Sequence, residues 1–121
     1  MTKPKVLLAE DDVTMVSLLK TLLNMEGFDV VALQADADVP AAVRIETPDV
    51  LLMDFHLLNQ SGLDILDDIR KEQDIRDICV VMSSGANVKD ECMLHGANGF
   101  LLKPYMPDEL IAILKQAIKS N

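Results

Sequence analysis

Five short apolar runs constrain this chain more than any other feature: KVLLAE (5–10), FDVVALQ (28–34), VLLMD (50–54), ICVVMS (78–83) and GFLLK (99–103). Most are near-continuous rather than alternating. Parallel strands read this way when helices cover both faces of their sheet. Segments with helical spacing lie between them. Val13, Val16, Leu19 and Leu23 form one stripe, Leu63, Leu66 and Ile69 another, and Leu110, Ile113, Leu114, Ala117 and Ile118 the last. Asp108 and Glu109 open the final helix and Lys115 and Lys119 close it, which suits the helix dipole. Pro40 fits the first turn of a helix running to about residue 46, and Thr47-Pro48 ends it. Glycines 27, 62, 85, 96 and 99 fall at element ends. Strands alternating with helices predict an α/β fold of (βα)5 pattern, a parallel sheet with right-handed crossovers.

The 121 residues suit one domain, 1–121, with a core of Leu, Ile, Val, Ala and Met, since aromatic residues are only 3%. A formal net charge of −9 argues against direct contact with nucleic acid or anionic lipid and leaves divalent cations and basic protein surfaces as partners. The first apolar run is too short, and too soon interrupted by acids, for a signal peptide. No stretch is long enough to span a membrane. Cys79 and Cys92 lack metal-ligand spacing and read as reduced thiols, the state expected in the cytoplasm.

The strand ends carry the chemistry. The first run ends in Glu10-Asp11, the third in Asp54, the fourth in Ser83-Ser84-Gly85 and the fifth in Lys103-Pro104. In a parallel sheet these ends share one edge, where open α/β sheets bind ligands. Each residue has a plain structural reading: Asp12 as a helix N-cap, Ser84 as a turn residue, Lys103 as a surface lysine. Together they suit phosphoryl transfer to a carboxylate. Aspartate can be the nucleophile, and a hard cation such as Mg2+ prefers carboxylate oxygens. A lysine adds positive charge, and a serine hydroxyl a hydrogen bond to a phosphoryl oxygen.

KVLLAEDD, VLLMDFHLLNQSG, VVMSSGA and GFLLKPY, in this order and at these intervals, resemble the response-regulator receiver domains of two-component signalling, the chemotaxis regulators among them. The resemblance covers essentially the whole chain. It implies a flavodoxin-like three-layer sandwich with strand order 2-1-3-4-5. It also implies that Asp54 accepts a phosphoryl group from the phosphohistidine of a sensor histidine kinase or phosphotransfer protein. Asp11 and Asp54 would bind Mg2+ directly, Glu10 through water, and His56 through its backbone carbonyl. Asp12 then remains the cap. Lys103 would pair with the acceptor and later with the phosphoryl group, next to a cis Lys103-Pro104 bond. Ser83 and Ser84 compete for the hydroxyl role; Ser84, followed by Gly85, is the choice. Phe100 occupies the family's aromatic switch position, a two-state element biased by the new charge together with Ser84. The output would be a changed surface of the fourth helix, fifth strand and fifth helix. That surface would be read by a partner protein, an attached output domain or a phosphorylation-dependent second copy. Such a chain is a phospho-acceptor that catalyses its own phosphorylation and dephosphorylation, not a conventional enzyme.

Two departures stand out. Leu57-Leu58 replaces the family's Met-Pro pair, which is expected to loosen that loop, and His56 stands near any water attacking the acyl phosphate. His95 reads as surface structure. Three rivals remain. In a haloacid-dehalogenase-type phosphatase, Glu10, Asp12 and Thr14 would carry the reaction. A flavodoxin-like cofactor binder would need a glycine-rich loop where acids stand. A degenerate receiver would serve only for docking.

Overall fold

The structure, a computed structural model, describes residues 3–120, without the side chain of Ser120. Met1, Thr2 and Asn121, included in the single-domain reading, lie outside the described residues. In chain order the elements are β1 (Lys5–Ala9), α1 (Val13–Met25), β2 (Asp29–Ala32), α2 (Val39–Glu46), β3 (Val50–Asp54), β4 (His56–Leu57), β5 (Gln60–Ser61), α3 (Gly62–Lys71), β6 (Cys79–Ser84), α4 (Lys89–Leu94), β7 (Gly99–Leu102) and α5 (Pro107–Ser120). Five strands form a parallel sheet of order β2-β1-β3-β6-β7. This is the expected 2-1-3-4-5 order once the small β4–β5 ladder is set aside.

Both sheet faces are covered, as the unbroken apolar runs require. Leu7, Leu51, Met53, Val80 and Met82 pack on one side with Val43, Leu66, Ile69 and Cys92, from α2, α3 and α4. Val6, Leu8, Leu52, Val81 and Leu101 pack on the other with Leu19 and Leu23 of α1 and Leu110 and Leu114 of α5. The helical stripes hold, with one correction: Val13 is 82% exposed. It is the first residue of α1, directly after the cap, and the stripe reaches the core from Val16 onward. Among the described residues no helix is long and apolar enough to cross a membrane.

Local signals set the helix ends. Asp38 Oδ1 accepts from Ala41 N at 3.1 Å to cap α2, Pro40 lies in its first turn, and Thr47 closes it at φ 43°. Ser61 Oγ accepts from Asp64 N at 3.4 Å to cap α3. The far end of α3 carries a larger device. The half-buried Arg70 guanidinium donates to Gly96 O (3.0 and 2.7 Å), Arg76 O (2.7 Å), Ile78 O (2.8 Å) and Asn98 Oδ1 (3.0 Å). One side chain therefore ties α3 to the approach to β6 and to the α4–β7 turn.

Candidate functional site

The parallel register brings the chemical residues to one edge. Ala9 pairs with Met53 and Asp54 with Ser83, so Glu10, Asp54 and the two serines follow one another along the strand ends. The loops there are tied by short backbone bonds: Phe55 N to Ser83 O (2.7 Å), Lys103 N to Ser84 O (2.7 Å) and Gly62 N to Phe55 O (2.8 Å). The Lys103-Pro104 peptide is cis.

Lys103 Nζ lies 2.7 Å from Glu10 Oε1 and 3.3 Å from Asp54 Oδ2. Burial pushes the Asp54 carboxyl above its ordinary range and the Glu10 charge adds to this, while Lys103 and the His56 backbone N–H oppose it. Burial depresses the Lys103 ammonium, but its hydrogen bond to Glu10 and the charge of Asp54 outweigh that and raise it. The lysine is therefore a fixed positive charge at this edge.

The row of three acids divides three ways. Asp12 Oδ1 accepts from Met15 N at 3.1 Å and caps α1, as expected. Glu10, 7% exposed, turns to Lys103 and to the backbone amides of Asp11 (3.0 Å) and Asp12 (3.4 Å). Asp11 Oδ1 is buried and unpartnered, alone in that respect among the buried side-chain oxygens and nitrogens of the described residues. A buried carboxylate oxygen without a partner is costly, and a cation would satisfy it. Among the described residues no group of three or more His, Cys, Asp or Glu side chains is arranged to hold a metal ion. Mg2+ does not need such a cage, because it keeps several waters and takes one or two carboxylates. The unpartnered Asp11 oxygen, with the Asp54 carboxylate on the same sheet edge, supplies the donor type that demand calls for. Asp12→Ala is expected to lower stability by about 1 kcal/mol in urea unfolding, the usual cost of a lost N-cap, and to leave Mg2+ affinity unchanged in calorimetry.

The serines sit on opposite sides of the sheet. By the pleat, Ser83 continues the face of Val81, shared with Leu52 and Asp54, and Ser84 continues that of Met82. Both are buried, and Ser84 Oγ accepts from Ala86 N at 3.1 Å, bracing the turn before α4. Phe100, partly buried, packs on the Met82 side. It borders a cavity of about 280 Å3 between α4, β7 and α5, with Lys89, Met93, Ile113 and Gln116.

The loop after Asp54, where Leu57-Leu58 stands, folds into a short ladder. His56-Leu57 pairs antiparallel with Gln60-Ser61, Leu57 packs on the core, and Gln60 Nε2 donates to Ala37 O at 3.3 Å. The His56 ring is exposed and stands edge-on to Phe55, with centroids 4.9 Å apart. His95 is more than surface: its Nδ1 lies 2.7 Å from Asp67 Oδ1 of α3. Both cysteines are buried free thiols, and burial pushes both thiol pKa values up.

The chain belongs to the response-regulator receiver family: the family model for the response regulator receiver domain matches residues 6–115. It is 28% identical over 120 residues to the transcriptional regulatory protein KdpE of Staphylococcus aureus, covering 97% of this chain and 52% of that protein. It is 26% identical over 122 residues to the DNA-binding response regulator MtrA of Mycolicibacterium paratuberculosis, covering 98% and 53%. The chain thus spans about half the length of the curated relatives it matches. Among solved structures, the receiver domain of the Francisella response regulator 1452 superposes with a TM-score of 0.87 at 26% identity, covering 97% of this chain and 98% of that one. The receiver domain of the sensor histidine kinase PA1611 of Pseudomonas aeruginosa, solved with magnesium coordinated in its active-site cleft, superposes with a TM-score of 0.80 at 26% identity, covering 98% and 99%.

Proposed function

We propose that this receiver accepts a phosphoryl group on Asp54 from the phosphohistidine of a sensor kinase or phosphotransfer protein. A carboxylate oxygen of Asp54 attacks phosphorus, the P–N bond breaks, and its electron pair leaves on the donor imidazole. One observation carries the reading: at the end of β3, Asp54 has the Lys103 ammonium 3.3 Å away and shares its sheet edge with a buried, unpartnered Asp11 oxygen. Asp11, Asp54 and the His56 carbonyl would hold Mg2+, as the magnesium in the PA1611 receiver supports. Bound Mg2+ supplies positive charge for the phosphoryl oxygens. Lys103 pairs with the same group, and Ser84 donates its hydroxyl to it.

The switch follows from that last contact. A Ser84 hydroxyl drawn to a phosphoryl oxygen gives up its bond from Ala86 N and frees the turn before α4. Phe100 then repacks beside the cavity it borders, and the α4, β7 and α5 surface changes for a partner, an output domain or a second copy. Two of the three residues needed by a haloacid-dehalogenase-type reaction are otherwise engaged, Glu10 with Lys103 and Asp12 with the start of α1.

Intact-protein mass after incubation with acetyl phosphate tests the proposal. A gain of one phosphoryl group that requires Mg2+ and is absent from Asp54→Asn is the expected result. A gain that persists in Asp54→Asn moves the nucleophile elsewhere. No gain, together with no response to beryllofluoride, leaves a docking module in place of a phospho-acceptor.

A further inference from the structure

We infer that a cleft at the sheet edge opposite the acids is a docking site for a segment of a partner protein that carries a lysine or arginine beside aliphatic side chains. The inference does not rest on Asp54 accepting phosphate. The cleft holds about 440 Å3 and opens between the end of α2, the residues before β3, the connection from α3 to β6 and the end of α5. Ligand clefts run from roughly 300 to 1,000 Å3. Its floor is aliphatic and bridges the two cores: Val43, Ile75 and Ile78 pack with one and Ile118 with the other. The walls are set before anything binds. Arg70 donates to Arg76 O (2.7 Å) and Ile78 O (2.8 Å), and Asp49 N donates to Lys5 O at 2.9 Å.

The rim is acidic, and its charge is only partly answered. Asp49, Asp74 and Asp77 line the cleft with one cation, Arg44. That cation is already engaged, its Nε 2.7 Å from Asp74 Oδ2 and its Nη2 3.2 Å from Glu72 Oε2. Asp49 Oδ2 accepts from the uncharged backbone N–H of Lys5 at 2.7 Å. The Asp77 carboxylate has no hydrogen-bond or ion-pair partner among the described residues, and its charge is felt at Arg70. An anion is repelled from such a rim and a cation is drawn to it. All three aspartates are exposed, so their ion pairs with a small cation are worth little in water. Most of the binding must come from covering the aliphatic floor. That calls for a cation and apolar side chains on one chain, which a peptide segment provides. β3 runs between Asp49 and Asp54, a rise of roughly 16 Å at ~3.3 Å per residue. A partner held in the cleft therefore leaves the acid edge uncovered.

Titration of the labelled full chain with capped tetrapeptides, followed by amide NMR, tests this. The probe is leucine-arginine-leucine-leucine. One control replaces its arginine by glutamine, and the other replaces every leucine by glycine. The probe is expected to shift amides within 43–49 and 73–78 and to saturate in about the millimolar range, the scale for so small a contact. It should bind about fivefold more tightly than the glutamine control, the upper end for an exposed ion pair. Asp77→Asn breaks no bond of the fold, so its melting temperature stays at that of the parent. It should bring the probe to within about twofold of the glutamine control. Equal binding of the probe and the glutamine control by the parent overturns the inference, since the rim then selects no charge. Binding of the glycine control, or of butylammonium, as tightly as the probe replaces the partner segment by a small organic cation and also overturns it. So do shifts spread over the whole acidic surface, or centred on Glu10, Asp11 and Asp54, which would report general attraction to a chain of net charge −9. No shift at ~5 mM probe has the same meaning. Phosphorylation by acetyl phosphate is a separate measurement, so failure of the acceptor reading leaves the titration interpretable.

Discussion

Gly62→Ala is expected to destabilise the protein by ~3 kcal/mol, the upper end of ordinary overpacking, and to lower the melting temperature by ~10 °C. A Cβ at residue 62 would collide with the backbone carbonyl of Asp54 and press on Phe55 Cα. Neither can yield cheaply, because Gly62 N also donates to Phe55 O at 2.8 Å and Phe55 N to Ser83 O at 2.7 Å. The added methyl therefore pushes on Asp54, the acceptor proposed above, and on that reading phosphorylation by acetyl phosphate should fall along with stability. Gly85→Ala is the control. Nothing lies within 4 Å of a Cβ there and the backbone is not left-handed, so its melting temperature should stay close to that of the parent. Equal melting temperatures for the two variants would show that the α3 start can retreat from Asp54.

Arg70→Lys should cost about 2 kcal/mol in denaturant unfolding, although the charge is kept, because an ammonium cannot reproduce a planar fork. The five bonds of Arg70 end on three backbone carbonyls and one amide oxygen at separate chain positions. A lysine can serve one or two of them. Hydrogen exchange should localise the loss to the start of β6 and to the α4–β7 turn, where Asn98 Oδ1 also accepts from Val80 N at 2.8 Å. An unfolding midpoint within experimental error of the parent would reassign the fork to a surface decoration.

The strand pattern was legible because covered parallel strands leave unbroken apolar runs, and here VLLMD lies over β3 residue for residue. The gathering of Glu10, Asp54 and Lys103 at one edge was legible for the same reason, since strand ends in a parallel sheet converge whatever lies between. Pairings set by distant folding were not. Nothing near Glu10 in the chain signals that its partner is Lys103, 93 residues later. Arg70 resembled any charged residue near a helix end until the α4–β7 turn arrived beneath it. His95 looked exposed because its carboxylate partner, Asp67, lies on another helix. Val13 had the right period but the wrong height, since periodicity fixes the side of a helix and not where the core begins. The hairpin after Asp54 was missed because its ladder is two pairs long, too short for alternation to show.

The opposite placement of the two serines has a consequence for how far any signal must travel. The sheet is a wall with a separate core on each side. Asp54 and Ser83 stand toward one core, while Ser84 and Phe100 stand toward the other. An event at the carboxylate therefore need not pass through either core or along any helix to reach the far side. On the proposed reading it needs only Ser84, which stands at the rim of the wall with its side chain on the far face.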